Sequence, residues 1–430
     1  MEMILFMNDY KKRIIDDILK EKLESKGAIL IEGPKWCGKT TAAEQVSKSI
    51  LYMSNPRLIK QNLMLADSNP EILLRGDTPR LIDEWQIAPK LWDAIRFEVD
   101  QRRIFGQFIL TGSAVPTDTS EIIHTGTGRF TWVKMRPMSL VESGESNGSV
   151  SLEELFNGND NIYGESMLSL EDVAFLVCRG GWPISTYLTG KSALSQAIDY
   201  YDAVVYSDIS RVDNVKRDSE KVKRIMASYA RNQGAQIGDE TIVNDIITNE
   251  EENMNVKTVH SYIAALKKIF VIEDMKAWNP NLRSKTAIRT LDTRYFIDPS
   301  IAAASLGFGP GDLINDLNTF GFMFETLAVR DLRVYAEALG GTVYHYRDKN
   351  NLECDAVVHL RNGNYGLIEI KLGGDKLIEE GVENLLKLKS ILDLDKMKNP
   401  SFLMVLTATG NIAYKRKDGV LIVPIATLGK

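Results

Sequence analysis

Short apolar runs alternate with helically periodic stretches through the first third of the chain. Ala28–Ile31 (AILI), Arg80–Ile82 (RLI) and Phe108–Leu110 (FIL) predict buried strands, and Thr40–Leu51 and Pro89–Arg102 predict helices between them. Continuous apolar runs suit strands covered on both faces, and strand–helix alternation predicts a parallel sheet in an α/β fold. The pattern loosens at 142–161, where Ser, Gly, Asn and acidic residues predict a loop or domain edge. From Ser169 to Arg231 the period is mostly helical, broken at Gly180-Gly181-Trp182-Pro183, whose neighbours Trp182, Tyr187, Tyr200 and Tyr201 read as core aromatics. Gln233–Trp278 predicts two short helices, a turn and a longer helix. In Asn255–Phe270, Val256, Val259, Tyr262, Ile263 and Leu266 share one face, and strand-like Val271–Met275 and Arg294–Ile297 follow. The sum resembles a winged helix-turn-helix. The last hundred residues predict a separate α/β unit. Its helix Phe322–Glu337 precedes strands Thr342–Arg347, Cys354–Leu360 and Tyr365–Lys371, then helix Leu377–Leu392 and strand Ser401–Leu406.

Composition narrows the class. A chain of 430 residues allows two to four domains, and 44% hydrophobic with 26% charged residues excludes wholesale disorder. A net charge of −6 argues against coating a long stretch of nucleic acid but permits a local basic face. The three cysteines, Cys37, Cys178 and Cys354, are odd in number and far apart, which suits a reducing compartment. The opening MEMILFMNDYKKRIID carries its charges after its apolar run, the reverse of a signal peptide, and no run approaches the ~18 apolar residues of a membrane span. The expectation is a soluble cytoplasmic protein without a membrane partner.

Gly33-Pro34-Lys35-Trp36-Cys37-Gly38-Lys39-Thr40, followed by Thr41, matches GxxxxGK[ST] between a strand and a helix. Glycines let backbone N–H groups curl around phosphates, and the helix N-terminus adds its positive end. Lys39 is placed to reach the β and γ oxygens of ATP, and the Thr40 hydroxyl to ligate Mg²⁺. Leu81-Ile82-Asp83-Glu84 ends a strand in two acids, and strand carboxyl ends converge on the ligand crevice of such sheets. Asp83 then serves the Mg²⁺ shell and Glu84 polarises the attacking water. Thr111 and Ser113 end the next strand, as γ-phosphate sensors or as polar groups of a tight turn. Arg129 is either an arginine finger or half of a surface ion pair.

GPKWCGKTT, LIDEWQ, FILTGS, TGR and RPMSLVESG, in this order, resemble the AAA-type ATPase domain of a large prokaryotic family. RGGWP, Tyr206 with Asp208, RYFIDPSIA and GFMFE fit its later landmarks. The resemblance implies an ATPase followed by a helical segment, a winged helix and a nuclease-like C-terminal domain. The expected division is 1–145, 146–220, 221–300 and 301–430.

Glu369-Ile370-Lys371 in YGLIEIKLG, Asp355 in ECDAVVHL and Glu325 in GFMFE resemble a PD-(D/E)xK nuclease site, with Cys354 where Pro would stand. Two carboxylates from adjacent strands suit a divalent metal, with Glu325 completing its shell. Lys371, two residues along the strand, shares the face of Glu369 and stabilises a charged transition state. The alternative is a nuclease-like fold without activity. In the helix-turn-helix, Lys257, Thr258, His260 and Ser261 are the candidate base readers, and Arg211, Lys216, Arg217, Lys221, Lys223 and Arg224 the candidate phosphate contacts. Asp218, Glu220 and Glu250–Glu252 dilute that field, and a packing module is the other reading.

Together these predict a Mg²⁺-dependent ATPase whose nucleotide state controls a DNA- or partner-binding C-terminal half, with a homo-oligomer among the partner expectations. An ATP-gated switch or scaffold, or an ATP-regulated DNA nuclease, are the alternatives.

Overall fold

The computed structural model describes residues 10–113, 125–213, 215–247, 254–279, 291–392 and 397–430; the Glu250–Glu252 run lies outside them. The chain divides into two compact units. The first holds Met1–Pro137, Ser207–Lys216 and Ala265–Phe270; the second holds Met138–Tyr206, Arg217–Ala264 and Val271–Lys430.

The first unit is built on five parallel strands: β1 (Ala28–Glu32), β2 (Ser49–Tyr52), β3 (Arg80–Asp83), β4 (Phe108–Gly112) and β5 (Phe130–Lys134), in the order β2-β3-β4-β1-β5. Side chains alternate between faces. Ala28, Leu30, Ile82, Phe108 and Leu110 meet Trp92, Ile95 and Val99 of helix Leu91–Arg102 on one side. Ile29, Ile31, Leu81 and Ile109 meet Leu19 of helix Ile14–Leu23 and Ala42 and Ala43 of helix Lys39–Val46 on the other. This two-sided burial explains the unbroken apolar runs, each such side chain contributing roughly 1.5–3 kcal/mol.

The expected Thr40–Leu51 helix is shorter. It stops at Val46, Ser47 turns extended, and Ser49–Tyr52 becomes edge strand β2 with every second residue exposed. Pairing with β3 outweighs the helical period there. Strand β5 was not anticipated, because Thr131 and Trp132 interrupt its apolar pattern.

In the second unit the Ser/Gly/Asn stretch is structured. It carries β6 (Val150–Ser151) and helix Leu152–Phe156, and β7 (Gly164–Glu165) follows just beyond it. The C-terminal strands are β8 (Gly341–Arg347), β9 (Glu353–Leu360), β10 (Tyr365–Lys371), β11 (Phe402–Thr407), β12 (Ile412–Lys415), β13 (Leu421–Pro424) and β14 (Leu428–Gly429). β7 joins β8–β13 in one sheet ordered β7-β12-β13-β11-β10-β9-β8, and β14 pairs with β6. Ser146 Oγ donates to the Leu428 carbonyl and Ser151 Oγ to that of Lys430, both at 2.7 Å. Residues read as a domain edge are thus stitched to the chain's far end. Helix Asp375–Ile391 covers one sheet face through Val382, Leu385 and Leu388, and helix Leu317–Ala338 packs along β8, β9 and β10.

Helices Leu170–Arg179, Gly190–Ala203, Ser219–Arg231 and Pro299–Leu306 frame the central segment. Trp182, Tyr200 and Tyr201 are buried there, as expected, while Tyr187 is half-buried. Between Gln233 and Trp278 the described residues hold one short helix, Asp239–Ile246, and the longer Val256–Lys268. The strand-like pieces after it form only isolated antiparallel bridges, Ile272 with Phe296 and Met275 with Thr293.

Candidate functional site

The phosphate-loop motif leaves β1 at its carboxyl end and enters helix Lys39–Val46. Two glycines are required. A Cβ on Gly33 would stand 2.1 Å from the Met135 carbonyl oxygen, and Gly38 has φ +96°. Lys39 Nζ donates to the carbonyls of Gly33 (2.9 Å) and Pro34 (2.7 Å), so its ammonium lies folded within the loop. Thr40 Oγ1 donates to Asp83 Oδ1 at 2.6 Å, and Thr111 Oγ1 donates to the same oxygen at 2.7 Å. The parallel register of β3 with β4 brings Asp83 opposite Thr111. Glu84 has the left-handed φ of +57°, an uncommon conformation for a non-glycine residue. Its Oε2 accepts from Gln86 Nε2 and, at 3.4 Å, from Ser113 Oγ. Thr40, Asp83, Glu84, Thr111 and Ser113 therefore form one continuous polar group at the sheet's carboxyl edge.

Arg129 does not join it. It precedes β5, its carbonyl accepts from Ala28 N at the start of β1, and its guanidinium pairs with Asp100 at 2.8 Å. β1 and β5 run parallel, so Arg129 sits at the opposite sheet end from the loop of its own chain.

Two further side chains brace the loop and carried no local motif. Arg13, 4% exposed, donates to the carbonyls of Cys37 and Arg136, each at 2.9 Å. Asp208 accepts from Lys35 Nζ at 2.6 Å, which gives the Tyr206–Asp208 landmark a physical task. Thr41 stands on the first turn of the following helix, and Trp36 is exposed.

The C-terminal residues also come together. Lys371 Nζ lies 3.1 Å from Asp355 Oδ2 and 2.7 Å from Glu369 Oε2. Asp355 Oδ2 accepts the Ile370 N–H at 2.7 Å, and Glu369 Oε1 accepts from Asn384 Nδ2 at 3.0 Å. Tyr295, from the central segment, donates its hydroxyl to Glu325 Oε1. Desolvation, reinforced by the Asp355 charge, pushes both Glu325 and Glu369 well above the ordinary carboxyl range. Desolvation of Lys371 is outweighed by Asp355 and Glu369, which hold it firmly protonated. Among the described residues, no three His, Cys, Asp or Glu side chains gather closely enough to hold a metal ion. The expected metal shell of Glu325, Asp355 and Glu369 is instead an ion-pair network closed by Lys371 and Tyr295. Its hard oxygens suit a divalent cation, but the arrangement shown does not offer them as one ligand set. Cys354 is buried beneath, its sulfur 3.4 Å from the Ala356 and Ile368 carbonyls, a core residue.

The helix-turn-helix candidates are partly committed elsewhere. Asn255 Oδ1 accepts from the Thr258 N–H at 2.9 Å, and His260 Nδ1 lies 2.9 Å from Asp239 Oδ2. Arg217 is 7% exposed with its guanidinium over the Tyr262 ring, so it is removed from any phosphate; Lys223 pairs with Glu220 at 2.9 Å. Lys257, Ser261, Arg211, Lys216 and Arg224 are exposed.

Residues 25–143 match the AAA domain family, residues 170–312 a domain of unknown function (DUF8612), and residues 320–428 another (DUF4143). The AAA match, to a class of P-loop ATPase domains, spans every element of the polar group described above. Among solved structures the chain is similar to a Walker-type ATPase of Pyrococcus abyssi (13% identity, 69% of this chain and 96% of that one, TM-score 0.41). It is also similar to a RuvB variant of Thermotoga maritima (17%, 60% and 88%, TM-score 0.28). A third is a STAND signal-transduction ATPase with a tetratricopeptide repeat sensor from Pyrococcus horikoshii (14%, 77% and 50%, TM-score 0.26). Likenesses this weak add nothing to the AAA match. No curated protein matches the chain. Among the described residues no helix is long and apolar enough to cross a membrane.

Proposed function

We propose that the protein binds ATP with Mg²⁺ and hydrolyses it to ADP and phosphate. The observation that carries this reading is the shared Asp83 Oδ1, which holds the hydroxyls of Thr40 and Thr111 beside Glu84. A hydroxyl and a carboxylate oxygen 2.6 Å apart are the hard donors that Mg²⁺ takes in such sites, so Thr40 and Asp83 fit the ion. Bound there, it would neutralise charge on the β and γ phosphates. Lys39 must exchange its two loop carbonyls for phosphate oxygens. The backbone N–H groups of Lys35–Thr40 cradle the phosphates, and Thr111 and Ser113 keep the two acids oriented. Glu84, aimed by Gln86 and Ser113, accepts the proton of the attacking water. Arg129 belongs to this reaction only if a neighbouring copy supplies it. Steady-state turnover by wild type and Glu84→Gln tests the reading: negligible turnover by wild type overturns it, and equal turnover in the two proteins moves the base away from Glu84. An ATP-gated switch would instead bind ATP with negligible turnover in both.

A second reading, cleavage of a phosphodiester by the C-terminal module, is favoured by the gathering of Asp355, Glu369 and Lys371 on adjoining strands. The central segment is read here as a winged helix, from three successive helices followed by antiparallel bridges, with Lys257 and Ser261 exposed for DNA. Mn²⁺-dependent nicking of plasmid that Asp355→Asn abolishes would support the cleavage reading. Nicking that persists in that variant, or none at all, removes it.

A further inference from the structure

The phosphate loop holds one residue in a conformation that its side chain opposes. Trp36 has φ +64°, in the left-handed region, where a bulky side chain crowds its own backbone. Glycine adopts this φ without steric cost; tryptophan does not. The residue is 49% exposed, so burial of the indole returns only part of that cost. Strain of this kind persists only where the surroundings over-determine it, and it concentrates at functional sites.

Here the chain is held on both sides of the strained residue. Before it, Lys35 Nζ donates to Asp208 Oδ1 at 2.6 Å. After it, the Cys37 carbonyl accepts from Arg13 Nη1 at 2.9 Å, and the buried Cys37 sulfur lies 3.5 Å from the Met135 carbonyl oxygen. Asp208 ends the π-helical turn Val204–Asp208, whose Val204 and Val205 are buried. Its side chain is 11% exposed against 43% for that of Lys35, so the carboxylate is the fixed partner and the lysine the one it holds. Two more ties, from Lys39 Nζ to the carbonyls of Gly33 and Pro34, end when the ammonium turns to a phosphate. From that moment Asp208 and Arg13 keep the loop in shape. The shape matters because successive N–H groups converge on an anion only while a left-handed residue bends the chain into a concave nest. A change of φ at Trp36 swings the N–H groups on its two sides apart.

We infer that Asp208 is a positioning residue of the nucleotide site: through Lys35 it holds Trp36 in the left-handed conformation that keeps the loop's N–H groups convergent on the phosphates. The inference rests on the ATP reading above and adds to it a residue that sets affinity without touching the nucleotide. ATP and ADP both present a diphosphate to the loop, so both feel the brace, and the chemical step does not.

The test uses the full chain. Calorimetric titration with ATP and with ADP, each with Mg²⁺, and steady-state turnover compare wild type, Asp208→Asn, Trp36→Gly and the double variant. Asp208→Asn should weaken both nucleotides by a similar factor, about fivefold or more. It should leave kcat within about twofold, the mark of uniform binding. In the Trp36→Gly background the same change should weaken them by no more than about twofold, because glycine keeps the left-handed φ without a brace. A general loosening of the fold would cost the same in both backgrounds. Should Trp36→Gly not fold, Trp36→Asn takes its place, asparagine being the other residue that accepts this region. Unchanged affinity in Asp208→Asn, an equal loss in the glycine background, or a fall in kcat larger than the loss of affinity overturns the inference while the ATP reading stands. Binding of neither nucleotide by wild type overturns both.

Discussion

The two polar sites are built on opposite plans. In the first unit, Gly33–Thr40, Asp83–Glu84 and Thr111–Ser113 leave the carboxyl ends of three parallel strands, and strand register alone converges them. Of the two lysines in the loop, Lys35 pairs with Asp208, while Lys39 rests on neutral carbonyls and is available to a ligand. In the second unit the charges come from β9, β10 and helix Leu317–Ala338, and a phenol from the central segment completes them. There the lysine is already engaged by two acidic side chains, Asp355 and Glu369. The contrast teaches that a site made of strand ends is poised by topology, whereas a site made of facing elements is set by which charges find one another.

The largest effect expected from this contrast is on chemistry. Glu84→Gln should lose ATP turnover by about 10²–10⁴-fold in a steady-state assay while still binding ATP. Normal turnover would move the base elsewhere and erase the difference between a poised and a closed site. Next, Lys39→Ala should abolish stabilisation by ATP·Mg²⁺. Wild type at ligand about 100-fold above Kd gains ~2.7 kcal/mol, read as a thermal shift. Equal shifts in the two proteins would show that the folded ammonium does not serve the nucleotide.

In the second site, Lys371→Met leaves Asp355 and Glu369 facing each other without their cation. Denaturant unfolding at neutral pH should show a loss of about 1–3 kcal/mol, smaller in Asp355→Asn/Lys371→Met than the sum of the single changes. Strict additivity would mean that the network is not coupled.

The same site carries a pH signature. Glu325 and Glu369 have folded pKa values raised to about 8, so the folded state holds protons the unfolded state has lost. Their contribution is fully present below the ordinary carboxyl range and is lost as pH rises toward 8. Glu325→Gln/Glu369→Gln should therefore flatten the stability profile between about pH 4.5 and 8 relative to wild type, measured by urea midpoints. Parallel profiles would contradict the raised values. The smallest effect concerns Asp208→Asn, which releases Lys35 from a partly exposed pair. Stability should fall by no more than about 1 kcal/mol, with the change appearing in ATP affinity rather than turnover rate. A larger loss of turnover than of affinity would place Asp208 in the chemistry.

Local sequence was sufficient wherever function follows from contiguous residues on a regular element. The glycine spacing around Lys39, the two acids ending an apolar strand, and the strands Ala28–Glu32 and Phe108–Gly112 were legible. Each depends on backbone conformation or two-residue alternation, which neighbours along the chain dictate. Asp355, Glu369 and Lys371 were legible as candidates for the same reason. Tertiary structure decided the rest. Ser49–Tyr52 became a strand because a neighbouring strand satisfied its backbone groups. Arg129 and Arg217, equal to any arginine in sequence, were assigned to Asp100 and to the Tyr262 ring. Arg13 and Asn384 carried no signal, and Asp208 and Tyr295 only that of a family landmark without a task, since a lone polar residue acquires meaning only from what lies across from it. Whether the C-terminal carboxylates stand open or closed was likewise beyond the sequence. Desolvation and charge–charge interaction depend on distances between elements far apart in the chain, and those distances exist only in the folded molecule.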